Sequence, residues 1–199
     1  MFKRIKMKLD ENINYIVSGQ ERSGTSMLMQ ILHAGNLPTA FDDSRPADNH
    51  NIKGYYELEG GKIINKLISK EFPIEKYKGH FIKITAYGLK YLPPGEYKII
   101  YTERNIEETL DSIEKMIGKK EINRNETKDN IIKLNNLIKN EIQSRSDTEV
   151  LFVNYNDILE NPKENIIKML KFLNLPEDNL QKMIDTIDLR IYHNRRKNE

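Results

Sequence analysis

YIVSGQERSGTSMLMQIL, residues 15–32, is the stretch whose reading decides the fold. The apolar run Tyr15, Ile16, Val17 reaches small residues at Ser18 and Gly19, and a polar turn follows. Thr25 and Ser26 then open a segment whose Met27, Leu28, Ile31 and Leu32 share one helical face. This order is strand, phosphate loop, helix. Gly19 and Gly24 have the spacing of a loop whose successive backbone N–H groups point into one concavity. The following helix adds the positive end of its dipole. An ordinary nucleotide triphosphatase carries Lys after the second glycine. Here that position is Thr25, and the positive charge sits earlier, at Arg22.

Working outward, 199 residues suffice for a single domain, 1–199, with a sizeable core. The hydrophobic fraction of 38%, with 31% charged residues, predicts a soluble globular protein. A net charge of +2 gives no bulk attraction to nucleic acid or membrane. The absence of cysteine excludes a disulfide scaffold and thiolate chemistry. No apolar run approaches the length of a membrane span. The basic start MFKRIKMKLDENI lacks the apolar core of a secretory signal, so a cytoplasmic protein is expected.

Strands are expected at 14–18, 81–85, 97–103 and 150–154, with a fifth candidate at 51–57. Helices are expected at 24–34, 57–70, 105–117, 127–144, 162–173 and 177–187. Asn105 with Glu108, and Asn161 with Pro162 and Glu164, read as helix starts. The alternation predicts an α/β fold: three layers, a mostly parallel central sheet of about five strands flanked by helices, of P-loop type. Ligands in such sheets bind beyond the carboxyl ends of the strands. The loop at 19–24, the turn at 102–105 and the segment after Asn154 all fall there. The long loop 36–54 is a candidate for a functional loop.

Three constellations carry chemistry. The first is Arg22, Ser23, Gly24, Thr25 and Ser26, which suits an anion better than a bare capped turn does. A Mg-dependent triphosphate site is disfavoured, since the loop lysine is missing and no strand ends in an Asp placed to hold the ion. The second is Arg104 at a strand end with Ser112 eight residues later; taken alone, this also reads as a solvated Arg and a helix Ser. The third is residues 150–176, where Tyr155 either stacks on a base or fills a gap.

Together these residues resemble the sulfotransferases that use 3′-phosphoadenosine 5′-phosphosulfate (PAPS), and most closely the small prokaryotic sulfotransferase-like proteins. Arg22-Ser23-Gly24-Thr25-Ser26 is similar to that family's Lys/Arg-Ser-Gly-Thr-Thr/Ser loop. Arg104 and Ser112 have the spacing of its second signature. Tyr155-Asn156-Asp157-Ile158, with Pro162 and the helix after it, resembles its third. The resemblance implies that the loop N–H groups, Arg22, Thr25 and Ser26 hold the 5′-phosphosulfate. It implies that Arg104 and Ser112 bind the 3′-phosphate, and that Tyr155 lies near the adenine. The basic tail, Arg195 and Arg196, resembles a late Arg-Lys-Gly element, with Asn198 in place of its Gly. Glu21 replaces the loop Pro, and Asn156 replaces a Glu.

The implied reaction moves a sulfuryl group from PAPS to a hydroxyl or amine of a small-molecule, glycan or peptide acceptor. It leaves adenosine 3′,5′-bisphosphate and needs no metal. Many relatives carry a His base just after a Lys-Thr in the third strand. The corresponding run here is Lys83-Ile84-Thr85-Ala86, without His. A carboxylate base is therefore expected: Glu57 first, Glu59 second, with His50 third. Both carboxylates also read as solvated acids at a helix start. A divergent P-loop kinase and a non-catalytic nucleotide binder are the competing readings.

Overall fold

A computed structural model describes residues 8–49, 51–120 and 122–191. Strands β1 (Asn14–Gly19), β2 (Phe81–Lys83), β3 (Tyr97–Glu103) and β4 (Thr148–Asn154) form one sheet in the order β2-β1-β3-β4. Every pairing is parallel, with Ile16 opposite both Ile82 and Ile99, and Gly19 opposite Thr102. The helices are α1 (Thr25–Ala34), α2 (Ile63–Ile68), α3 (Ile106–Ile117), α4 (Arg124–Ser144), α5 (Tyr155–Glu160), α6 (Pro162–Phe172) and α7 (Leu180–Asp185). No helix among the described residues is long and apolar enough to cross a membrane.

Strand residues alternate between two apolar layers, as parallel strands covered on both faces must. Tyr15, Val17, Phe81, Ile100 and Val153 pack with Leu28, Ile31, Ile166 and Met183 of α1, α6 and α7. Ile16, Ile82, Ile99 and Tyr101 face the other way, against Ile63 of α2, Leu89, and Ile138 and Ile142 of α4. The three-layer expectation therefore holds, with one correction. Among the described residues the sheet has four strands, not about five, and segment 51–57 is not a strand. It contributes only an isolated bridge from Asn51 to Asp48. Gly54 (φ 89°) and Tyr56 (φ 55°) turn the backbone out of the extended region.

The helix expected at 57–70 is also shorter. Glu59, Gly60 and Gly61 all have positive φ, so a single 3-10 turn precedes α2. Residues 155–160, read as loop, are helical because the Asn154 side chain accepts the amides of Asn156 and Asp157. Asn105 caps α3 as expected, but the Glu108 side chain turns to Arg104 rather than back to the cap. Asn161 makes no side-chain cap bond, leaving Pro162 to start α6.

The entry to β4 is fixed electrostatically. The Asp147 carboxylate accepts from Arg145 (2.9 and 2.8 Å), from the Gly95 amide (3.1 Å) and from the Thr148 hydroxyl (3.0 Å). The Arg145 bonds are the main reason its pKa falls from 3.8 to about 2. A depressed carboxylate stabilises the fold above its unfolded pKa, and that stability is lost as pH falls through the folded value. Urea midpoints of the wild type should therefore fall more steeply between pH 3.8 and about 2 than those of Asp147→Asn. Parallel curves across that window would show that Asp147 contributes no acid-side stability.

Candidate functional site

All four strands point the same way, so their carboxyl ends meet at one edge of the sheet. The order reverses between β1 and β3, and the crevice beyond that switch point is where open α/β sheets bind ligands. A cavity of about 410 Å3 lies there. Its walls include Arg22, Gly24, Thr25 and Ser26 after β1, and Lys83, the last residue of β2. Arg104 after β3 and Tyr155 after β4 complete the strand-end contribution. Ser112 of α3 and Arg45, Tyr55 and Glu57 from the preceding loop close it.

The loop after β1 is built by close approach. A side chain at Gly19 would collide with the Thr102 backbone and lie 2.5 Å from Ser23 Oγ. Gly24 (φ 101°) stands directly against the Tyr155 ring, so a Cβ there meets both a forbidden dihedral and an aromatic wall. Ser23 is consumed in holding the loop. Its buried hydroxyl donates to the Gln20 carbonyl at 2.6 Å, and its own carbonyl accepts from Thr102 Oγ1 at 3.0 Å. Arg22, itself at φ 65°, donates from Nε to Ser112 Oγ at 2.9 Å.

Arg104 is held from three sides. Its Nε donates to Glu108 Oε2 at 3.1 Å, its Nη1 reaches the Arg22 carbonyl at 3.3 Å, and its Cζ lies 4.7 Å from the Tyr155 ring centroid. The pair is nearly dry, with side-chain exposures of 7% and 2%. Asn156 Nδ2 adds a bond to the same Glu108 oxygen at 3.1 Å. Burial pushes the Tyr155 phenol up, so it stays protonated and serves as an aromatic surface. The structure thus brings Arg22, Arg104, Ser112 and Tyr155 together, with Ser112 bonded to Arg22.

A second charge cluster faces the same cavity. Lys83 Nζ lies 2.7 Å from Glu57 Oε1, 2.7 Å from the Tyr55 carbonyl and 3.1 Å from Ser26 Oγ. Burial lowers its pKa, and the neighbouring Glu57 charge works in the opposite direction. Arg45 Nη1 reaches the other Glu57 oxygen at 3.0 Å, and its guanidinium lies 3.5 Å from the Tyr55 ring centroid. Glu57 is thus a buried carboxylate on the cavity wall. Glu59 does not line the cavity; its carboxylate binds Lys66 at 2.8 Å. His50, Arg195 and Arg196 lie outside the described residues. His33 bonds Thr39 Oγ1 at 2.8 Å, and the His80 ring sits 3.1 Å from the Lys78 carbonyl.

Lys83 and Arg45 are the site residues that the sequence reading missed. Lys83 left a signal, a lysine closing the otherwise apolar strand run FIK. Arg45 left none, because it reaches the site from a loop without a readable pattern. Glu21 is exposed at the cavity rim, and nothing in the structure explains a negative charge there. Among the described residues, no three His, Cys, Asp or Glu side chains cluster to hold a metal.

Three guanidinium groups (Arg22, Arg45 and Arg104), the buried Lys83 ammonium, the hydroxyls of Thr25, Ser26 and Ser112 and the start of α1 all face one cavity at the strand ends of an α/β domain. The sulfotransferase domain family model matches residues 13–199, and the chain belongs to that family. Its class of chemistry is therefore sulfuryl transfer. No curated protein sequence matches it. Among solved structures it is similar to the sulfotransferase domain of the Synechococcus PCC 7002 olefin synthase, with TM-score 0.59 and 15% identity. That match covers 90% of this chain and 78% of the other. A mouse sulfotransferase complexed with PAP follows, with TM-score 0.54 and 16% identity over 91% of this chain and 65% of that one. Retinol dehydratase complexed with retinol and PAP gives TM-score 0.50 and 14% identity over 94% and 67%. At these identities the likeness is one of fold.

The contact of Gly24 with Tyr155 is directly testable. Gly24→Ala should cost about 1–3 kcal/mol in urea unfolding, from backbone strain plus ring overlap. Adding Tyr155→Ala should recover the overlap part and leave the strain part. If the double variant shows the simple sum of the two single losses, the ring contact is not what excludes a side chain at position 24.

Proposed function

We propose that this protein binds PAPS at the strand ends and transfers its sulfuryl group to a hydroxyl or amine of a small-molecule, glycan or peptide acceptor. One observation carries the reading. Arg22 and Arg104 are 82 positions apart, yet they share a cavity with Thr25, Ser26, Ser112 and the start of α1. That donor set suits a ligand with two separate anionic groups. The loop amides, Thr25, Ser26 and Arg22 would hold the 5′-phosphosulfate. Arg104 and Ser112 would take the 3′-phosphate, with the Tyr155 ring against the nucleoside.

The donor, when bound, supplies a sulfuryl group on a good phosphate leaving group. The chain's residues do the rest. Arg22 acts as a fixed positive charge beside the leaving oxygen and not as a proton donor. Lys83, 3.1 Å from Ser26 Oγ, adds a second positive charge where the loop ends. Glu57 is the proposed base for the acceptor proton. As the acceptor oxygen or nitrogen bonds to sulfur, the sulfur–oxygen bond to phosphate breaks and the phosphate keeps the electron pair. Lys83 and Arg45 occupy both Glu57 oxygens, so accepting a proton requires one pair to open. Arg45 is the one free to swing, with 39% of its side chain exposed against 4% for Lys83.

The reading is tested by calorimetric titration. The wild type should bind adenosine 3′,5′-bisphosphate more tightly than ADP with Mg; the reverse order would favour a kinase. In a chain carrying both Arg104→Gln and Glu108→Gln, which strands no buried charge, bisphosphate affinity should fall about 10–100-fold, the worth of a hydrogen bond to a charged group. AMP affinity should change little. Equal losses for both ligands would remove Arg104 from recognition of the 3′-phosphate.

A further inference from the structure

Among the described residues, Glu57 sits in the densest run of left-handed backbone. Gly54, Tyr56, Glu59, Gly60 and Gly61 all have positive φ, and two of them are not glycine: Tyr56 at 55° and Glu59 at 51°. Non-glycine residues held there are strained and persist only where surrounding contacts over-determine them. The contacts are identifiable. The Asp42 amide donates to the Glu57 carbonyl at 2.9 Å, and Asp42 Oδ2 accepts the Glu59 amide at 2.7 Å. One residue thus grips the backbone on both sides of Leu58. The grip is itself braced, because Asp42 Oδ1 accepts the Ser44 amide at 2.9 Å and also contacts the Ser44 hydroxyl. Desolvation raises the Asp42 pKa, but the bonds from Ser44 and Glu59 outweigh it and hold the carboxyl below its usual range.

The side chain of Glu57 is seated with equal care. A Cβ at Gly61 (φ 81°) would lie 2.8 Å from Glu57 Oε2, so the carboxylate fills the space that a side chain there would take. Arg45, three residues after Asp42, reaches that same oxygen at 3.0 Å. The backbone clamp and the side-chain partner therefore come from a single turn. Asp42 does not line the cavity and meets its wall only through the backbone carbonyl of Glu57. A surface loop that needed only to be closed would not require one residue to grip the backbone on both sides of Leu58, with one bond made at the strained Glu59.

We infer that Asp42 is a positioning residue, which holds the 54–61 segment in its strained form and so aims the Glu57 carboxylate into the cavity. This rests on the proposed role of Glu57 as base, and the experiment separates the two. PAP formation from PAPS with water as the acceptor is followed in wild type, Asp42→Ala, Asp42→Asn, Glu57→Gln and the double variant Asp42→Ala/Glu57→Gln. Asp42→Ala should lower kcat about 10-fold or more, with KM for PAPS and affinity for adenosine 3′,5′-bisphosphate within about twofold of wild type. Asp42→Asn, which keeps one acceptor oxygen, should recover part of the loss. In the Glu57→Gln background, Asp42→Ala should cost less than about twofold, because the residue it positions is already disabled. Independently of activity, exchange of the Glu59 amide should accelerate in Asp42→Ala and not in Glu57→Gln.

An undiminished loss in the Glu57→Gln background, or an unchanged Glu59 amide, overturns the positioning role. If Glu57→Gln turns over at the wild-type rate, the base assignment has failed and the positioning role falls with it. If the wild type neither binds the bisphosphate nor forms it, the donor reading is what failed.

Discussion

The direction of four strands is the constraint on which this molecule depends. A parallel sheet needs a crossover between successive strands, and every crossover returns the chain to the same edge. The ends of β1, β2, β3 and β4 must therefore deliver Gly19, Lys83, Arg104 and Tyr155 to a common place, however far apart they lie in sequence. The β1–β3 seam is the tightest part. Thr102 presses on Gly19 and hydrogen-bonds the Ser23 carbonyl, so the phosphate loop is shaped as much by β3 as by its own glycines.

The charges on that edge are arranged so that none is isolated. Arg104 faces Glu108, Lys83 faces Glu57, and Arg22 leans on the Ser112 hydroxyl. A nearly buried guanidinium or ammonium without such a partner would be strongly destabilising. The partners also fix rotamers, so the cations stand in place before any ligand arrives, which lowers the ordering cost of binding. Glu57 differs from Glu108 in one respect. Glu108 is locked among Arg104 and Asn156 in a dry wall, whereas Glu57 has one partner, Arg45, that reaches into solvent.

The sheet and its helices were legible wherever periodicity carried the signal. The strand at Tyr97–Glu103 and the helices at Thr25–Ala34 and Pro162–Phe172 fall where alternation, glycines and prolines put them. The reading broke down where backbone dihedrals decide. Segment 51–57 has the composition of a strand, but Gly54 and Tyr56 adopt left-handed angles that no pattern of apolar residues announces. For the cavity, Arg22, Arg104, Ser112 and Tyr155 could be singled out because the resemblance to the family rests on motifs read along the chain, and the fold brings all four to one cavity. Lys83 and Arg45 could not be, because their meaning lies in what they face across the cavity. Glu57 and Glu59 look equivalent in sequence. Only the fold separates them, one toward Lys83 and the other toward Lys66.

The strand order also governs how the molecule comes into being. β1 is made before both of its neighbours, which begin at Phe81 and Tyr97, and the aromatic wall behind Gly24 comes from Tyr155. An emerging chain therefore carries a strand without a hydrogen-bonding neighbour until Phe81 and Tyr97 have been made, and a loop without its aromatic wall until Tyr155 has. Such non-local closure slows folding and prolongs the exposure of unpaired strand edges. Residues 15–32, which announce the fold first, gain their last neighbour, Tyr155, only when that residue has been made.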